Sequence, residues 1–150
     1  MLIADQVSKA VLIEFLNGLN FEPIAFTSFF RIVMVWNRGV SFGMFNSGEE
    51  VTRWVLTVLA VAVSIGLVIW LSRVRKRLPA IAIGLVVGGA LGNAIDRVRY
   101  GAVADFFDFH VAGWSWPAFN IADAGITVGV LLLVADAMMT PKSSGKTPKG

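Results

Sequence analysis

Cysteine is absent from the 150-residue chain, which removes disulfides, thiol nucleophiles and thiolate metal sites. Histidine occurs once, as His110. One imidazole cannot build a histidine-rich metal centre, and it argues against a Ser-His-Asp triad. Charge is scarce too: 15% of residues are Asp, Glu, Lys or Arg, against about 25% in an ordinary soluble domain. So few charges cannot cover a core of this size, and the surplus apolar surface must face lipid or a partner. The net charge is a modest +3. Its basic residues are not interleaved with aromatics in a stripe, which argues against nucleic acid as a partner. A single tyrosine, Tyr100, contrasts with five tryptophans. Trp54, Trp70, Trp114 and Trp116 fall near the ends of apolar runs, a placement that suits an aromatic belt.

What the chain has in plenty is hydrophobic sequence, 56% of the total. A bilayer-spanning helix needs about 20 mostly apolar residues. Residues 54–71, WVLTVLAVAVSIGLVIWL, carry no charge and are flanked by Arg53 and by Arg73, Arg75, Lys76 and Arg77. Residues 78–95 form a second uncharged run, dotted with Gly84, Gly88, Gly89 and Gly92. Such small residues weaken a soluble helix but permit close helix packing in lipid. Residues 120–139 make a third span. The start, residues 1–16, is helical in pattern but includes Asp5, Lys9 and Glu14. Sixteen residues reach only about 24 Å, short of a hydrocarbon core of about 30 Å. It reads as the outer part of a first span whose beginning is missing, and without a basic leader it is not a secretory signal peptide. The expectation is a mainly α, four-helix membrane bundle in one domain over 1–140, with spans near 1–16, 53–72, 78–95 and 119–139.

The densest basic segments, 72–78 and the tail over 141–150, should be cytoplasmic. Both ends then lie inside, and the long connections 17–53 and 96–118 lie outside. Residues 27–36 and 40–45 are rich in Phe, Val and Ile, which suggests a small sheet on the membrane surface. The tail KSSGKTPKG is polar, basic and expected to be disordered.

With this orientation Asp96, Asp105, Asp108 and Asp123 gather at the outer face. Charges at membrane depth are costly and commonly mark function. Asp105 and Asp123 lie on opposite arms of one excursion, so the chain can fold back and bring them together. Two close carboxylates cannot both ionise easily. The ionised one can act as general base on water, and the protonated one can polarise a carbonyl and later serve the leaving amine. No metal or cofactor is needed. Asn120 is placed to N-cap the last helix, with Asp123 at its third position. The helix dipole favours charged Asp123 by only about 0.3–1 kcal/mol. A neighbouring carboxylate can push two pKa values about three apart. The pair effect therefore dominates if the two are adjacent, with Asp123 the more readily ionised. The plainer alternative is a capping acid at Asp123 and a solvated loop residue at Asp105, and spacing alone does not decide.

Elsewhere the plain readings prevail. Asn93, Asp96 and Arg97 share one helix face, which suggests a structural ion pair at the membrane boundary. Asp5 and Lys9, four apart, suit a buried pair holding the bundle together. Ser8 beside Lys9 could suggest a Ser-Lys nucleophile, but adjacent helix residues do not face each other, which argues against it. Asp108 and His110 read as surface loop residues, and Asp136 as an interfacial acid near the basic tail.

Five motifs occur in order: DQVSK from Asp5 to Lys9, NRGVSFG from Asn37 to Gly43, GGALGNAIDR from Gly88 to Arg97, VADFFDF from Val103 to Phe109, and FNIADAGITVG from Phe119 to Gly129. Together they resemble the lipoprotein signal peptidase family, the bacterial signal peptidases II, over nearly the whole chain. The resemblance implies an aspartic endopeptidase of the bacterial cytoplasmic membrane. Its four transmembrane helices would carry a small outer β-cradle and a helical or loop excursion between helices 3 and 4. Its substrates would be prolipoproteins bearing a diacylglyceryl cysteine, cut just before that cysteine, without metal or cofactor and with sensitivity to globomycin. By motif position the catalytic pair would be Asp105 and Asp123. Asn37, Gly39, Asn93, Arg97 and Asn120 match positions that line or shape the site, and Asp5, Lys9 and Asp96 match positions that support it. The expected partners are lipidated prolipoproteins and membrane lipids, the expected state a monomer. The family carries about a dozen residues before the Asp5 position where this chain has four, which again points to a shortened first span. A proton-coupled transporter, with the outer aspartates as a relay, and a non-enzymatic membrane scaffold are the competing classes.

Overall fold

The structure, a computed structural model, describes residues 1–39, 48–111 and 113–139. Four helices and a small sheet alternate along the chain: α1 (Leu2–Gly18), β1 (Ile24–Ala25), β2 (Phe30–Asn37), α2 (Gly48–Leu71), α3 (Arg77–Tyr100), β3 (Val103–Val111), β4 (Trp114–Ser115) and α4 (Ile121–Met139). Three of the helices are long and apolar enough to cross a membrane, over Glu50–Leu71, Arg77–Tyr100 and Ile121–Met139. The fourth, α1, has 17 residues. The bundle buries charged and polar side chains while it exposes large apolar ones. Asp5, Lys9, Asn93, Asp96, Asp105 and Asn120 are buried, whereas Ile3, Val7, Val58, Ile65 and Leu131 are exposed. That inversion is what a lipid solvent selects.

Helix α3 runs about a turn further than the uncharged run 78–95, through Arg97 and Arg99 to Tyr100. It stops at Gly101, whose φ of +79° forms a left-handed cap with its N–H on the Arg97 carbonyl at 3.1 Å. Glycine takes that conformation without steric cost. The α3–α4 contact depends on small residues. A Cβ added at Gly89 would stand 2.5 Å from the Ala122 carbonyl oxygen, and one at Gly129 would stand 2.7 Å from that of Ala82. The helices therefore pack backbone to backbone.

The sheet is antiparallel in the order β1-β2-β3-β4. The expected strand over 27–36 is present as β2, its turn from β1 closed by the Thr27 hydroxyl, which accepts from the Phe30 N–H at 3.0 Å. The companion expected over 40–45 lies outside the described residues, as does the tail over 141–150. On the edge away from β1, β2 pairs with β3, so the excursion expected as helix or loop is strand over 103–111. Its aromatic and valine content favours the extended chain. One face of β3 packs Ala104 and Phe106 onto Leu16 at the end of α1.

A register shift between Ile32 and Val35 has consequences. Three steps along β2, from Ile32 to Val35, span two steps along β3, from Phe107 to Asp105. The extra residue is a bulge, and it inverts the alternation of faces beyond it. Asn37 consequently lies opposite Val103, on the same face as Asp105. In an unbroken ladder Trp36 would occupy that face.

Gly129→Ala, remote from the carboxylates, is expected to overpack the α3–α4 contact and cost about 1–3 kcal/mol. Thermal unfolding in detergent would show a lowered Tm; an unchanged Tm would mean that the helices can part without penalty.

Candidate active site

The site is built where α3 ends, α4 begins and β3 passes between them. The segment before α4 is stitched to β3: the Phe107 N–H donates to the Phe119 carbonyl at 2.9 Å, and the Phe119 N–H returns to the Phe107 carbonyl at 3.1 Å. The Phe107 and Phe119 rings lie 5.7 Å apart over this bridge. The next residue, Asn120, is thereby brought against Asp105.

Asn120 is the N-cap expected of it. Its Oδ1 accepts from the Asp123 N–H at 2.9 Å, and a carboxylate oxygen of Asp123 accepts from the Asn120 N–H at 3.2 Å. This is a reciprocal capping box with aspartate at the third position. The Asn120 amide also donates to Asp105 Oδ1 at 2.8 Å and to Asn93 Oδ1 at 3.1 Å. Asn93 in turn donates to Asp123 Oδ1 at 2.7 Å. On the other side Asn37 donates to Asp105 Oδ2 at 3.0 Å and accepts from the Gly39 N–H at 2.9 Å. Gly39, at φ +102°, sits so close to Leu56 of α2 that a Cβ would collide with it. Three asparagines thus fix two carboxylates while contributing no charge.

Asp105 is 1% exposed. Its burial, helped by the charge of Asp123, pushes its pKa up to about 7, against the opposing pull of its Asn37 and Asn120 hydrogen bonds and of Lys9. The reading of Asp105 as a solvated loop residue therefore fails: the residue is a buried strand carboxyl. The capping role of Asp123 is present, but it coexists with the pairing to Asn93. Arg97 lies where the charges of Asp123, Asp105 and Asp96 all act on it. Its Nε is buried without a hydrogen-bond partner among the described residues. A groove of about 420 Å³, lined by Trp116, Pro117, Phe119, Asp123, Thr127 and Val128, opens beside Asp123.

Beneath this layer is a second one. Lys9, 2% exposed, places its ammonium 2.9 Å from Asp5, 2.7 Å from Asp96 and 3.0 Å from Asn93 Oδ1. The pairing of Asp5 with Lys9 is the one the four-residue spacing suggests. Asp96 differs from expectation: its ionic partner is Lys9, not its neighbour Arg97, because a helix turns successive side chains about 100° apart. Ser8 donates to the Asp5 carbonyl at 2.8 Å, as befits a helix hydroxyl rather than a nucleophile. Asp108 and His110 need correction too. Both lie on β3, and Asp108 is 5% exposed and ion-paired with Arg31 on β2. Strand pairing, which the composition of one segment does not reveal, took them out of the loop class. Asp136 meets Lys76 at 3.4 Å, an interfacial pair with the 72–78 segment.

Sequence reasoning missed Gln6. Its amide nitrogen reaches Asp5 at 3.2 Å, Asp96 at 3.1 Å and the Gly92 carbonyl at 3.2 Å. Its spacing of three from Lys9, hence a shared helix face, was the available signal.

Fold and site together define a class: a helical membrane protein with two aspartates linked through shared asparagines near one end of its bundle. A family model described as signal peptidase (SPase) II matches residues 1–139. A lipoprotein signal peptidase of Methylobacterium radiotolerans is 48% identical over 137 residues, covering 91% of this chain and 80% of the relative. One from Beijerinckia indica is 42% identical over 147 residues, covering 98% and 88%. A bacterial membrane enzyme solved by the in meso method at 2.3 Å resolution superposes with a TM-score of 0.71 at 30% identity, covering 99% of this chain and 88% of that one. The chain belongs to the signal peptidase II family, the membrane aspartic endopeptidases of lipoprotein processing. Neither the transporter nor the scaffold class is favoured.

Lys9→Met would leave the Asp5 and Asp96 carboxylates buried without their counter-ion. Breaking a buried pair in this way costs about 3–5 kcal/mol, so the variant is expected to lose most of its folded yield in detergent. Wild-type stability would mean that the pair is dispensable.

Proposed function

We propose that this chain cleaves the signal peptide from prolipoproteins whose cysteine carries a diacylglyceryl group, cutting immediately before that cysteine, with Asp105 and Asp123 as the catalytic dyad. The observation that carries the dyad is that Asn120 binds both residues at once, holding a raised-pKa carboxyl beside a second one. The names of the relatives support the substrate class.

In this mechanism ionised Asp123 takes a proton from a water molecule, whose oxygen attacks the scissile carbonyl. Protonated Asp105 gives its proton to the carbonyl oxygen as the tetrahedral intermediate forms. Collapse of the intermediate breaks the C–N bond, and the proton held by Asp123 passes to the leaving cysteine nitrogen, while Asp105 recovers its own. Asn37 and Asn120 hold Asp105, and Asn93 orients Asp123. Arg97, on which the charges of both carboxylates act, offers its guanidinium to a substrate carbonyl. Gly39 lets the chain pass close to α2, and Asp5, Lys9 and Asp96 support the whole from below. The reaction calls for no metal or cofactor. One chain supplies both carboxylates, so a monomer suffices. The dense basic segment 72–78 supports cytoplasmic termini and a site at the outer face of the bacterial cytoplasmic membrane. There a lipid-anchored substrate arrives within the leaflet and need not be extracted.

Cleavage of a lipidated prolipoprotein and of its unmodified precursor, followed by gel shift in detergent, tests this directly. Only the lipidated form should be cut, and globomycin should block it. Asp105→Asn and Asp123→Asn should each lower kcat by about 10²–10⁴-fold without loss of Tm. Retained cleavage in either variant would remove that residue from the mechanism.

The pH dependence has a definite sign. Asp105 must hold a proton at the start of each cycle, and its pKa is raised to about 7. kcat/KM should therefore decline as pH rises through about 7. A profile flat to pH of about 9 would contradict the assignment of Asp105 as the acid.

A further inference from the structure

The supporting layer has a symmetry that its individual pairs conceal. Asp5 Oδ1 accepts the backbone N–H of Ala122 at 3.0 Å, and Ala122 immediately precedes Asp123. Asp96 Oδ2 accepts the backbone N–H of Ala104 at 3.2 Å, and Ala104 immediately precedes Asp105. Each buried acid therefore grips the chain one residue before one member of the dyad. Both acids are 1% exposed or less.

Two donors then join the two acids. Lys9 binds both, at 2.9 and 2.7 Å. The Gln6 amide nitrogen also binds both, at 3.2 and 3.1 Å, and adds the Gly92 carbonyl. Two carboxylates share one ammonium, and side by side in a low-dielectric interior they repel. A neutral N–H donor bridging them offsets that repulsion without adding an unpaired charge. Gly92 leaves the space: a Cβ there would strike the Asp5 carboxylate.

We propose that Gln6 is a positioning residue: with Lys9 it yokes Asp5 to Asp96, and so sets the separation of the backbones that carry Asp123 and Asp105. The role rests on the assignment of those two as the dyad. Proton sharing between two carboxyls depends steeply on their separation, so a looser yoke weakens the chemical step more than substrate binding. The charged groups around the yoke are Asp5 and Lys9 on α1, Asp96 and Arg97 on α3, Asp123 on α4 and Asp105 on β3. Gln6 adds no charge to that set and touches neither dyad carboxylate; its action passes through the acids alone.

Two variants separate donor from packing. Gln6→Met keeps the volume and removes the amide. Gln6→Asn keeps the amide but is one methylene too short to bridge both acids. Steady-state cleavage of the lipidated prolipoprotein would be measured from acid to alkaline pH, with Asp105→Asn and Asp123→Asn in parallel. Both Gln6 variants should lower kcat by about 10–100-fold, the scale of a small misplacement at a reacting centre, with KM within about twofold. The alkaline limb should move toward lower pH, because the charge of Asp123 acts less strongly on a more distant Asp105. Gln6→Asn, the gentler change, serves if Gln6→Met fails to fold. Wild-type kcat and an unmoved limb in a folded Gln6 variant, with both aspartate variants inactive, would overturn the yoke alone. Activity retained in the aspartate variants would overturn the dyad and the yoke with it.

Discussion

The ammonium of Lys9 has three protons and three acceptors, supplied by Asp5, Asp96 and Asn93. Those acceptors lie on two helices, Asp5 on α1 and both Asp96 and Asn93 on α3, so the ammonium ties the two together. An ammonium without partners at this depth would cost several kcal/mol, and so would either carboxylate. Together they hold α1 against α3, and through the Ala122 amide they reach the start of α4. Helices in lipid gain little from burying one another's apolar faces. The polar node, together with the glycine contacts of α3 and α4, carries much of what a hydrophobic core would do in a soluble domain. Its directionality matters as much as its energy: hydrogen bonds fix angles and distances that lipid-like packing would leave loose.

The chemistry follows from the same economy of charge. Asp105 and Asp123 are held by Asn37, Asn93 and Asn120, which are neutral. Had cations held them, both carboxylates would be drawn toward the ionised form and neither would keep a proton near neutral pH. Amides satisfy the oxygens without neutralising them, so burial prevails and Asp105 is raised to about 7. Lys9 stays one layer below, bound to other acids, and its pull on Asp105 is a lesser influence. A charged layer organises the backbone, and a neutral layer of amides holds Asp105 and Asp123, the arrangement that the proposed acid–base pair requires.

Much of this was legible in the chain. The apolar runs announced three membrane-crossing helices, because hydropathy over about 20 residues is a local property that lipid reads directly. The lone histidine and missing cysteine narrowed the chemistry toward carboxylates. The Asp5–Lys9 pair and the Asn120 cap followed from helix spacing, which is also local. The five ordered motifs singled out Asp105, Asp123 and the asparagines around them.

Other features were decided only by the tertiary structure. The bulge that turns Asn37 toward Asp105 depends on how β2 registers with β3, and register depends on both strands at once. The pairing of Asp96 with Lys9, and the burial of Asp108 on a strand, required distant segments to meet. The grips of Asp5 on the Ala122 amide and of Asp96 on the Ala104 amide leave no mark in the side-chain pattern. They use backbone donors that every residue but proline possesses. Local periodicity determined which segments enter the membrane and which residues carry charge there. Long-range hydrogen bonding decided how those charges face one another, because only a folded backbone sets the direction of its own N–H groups.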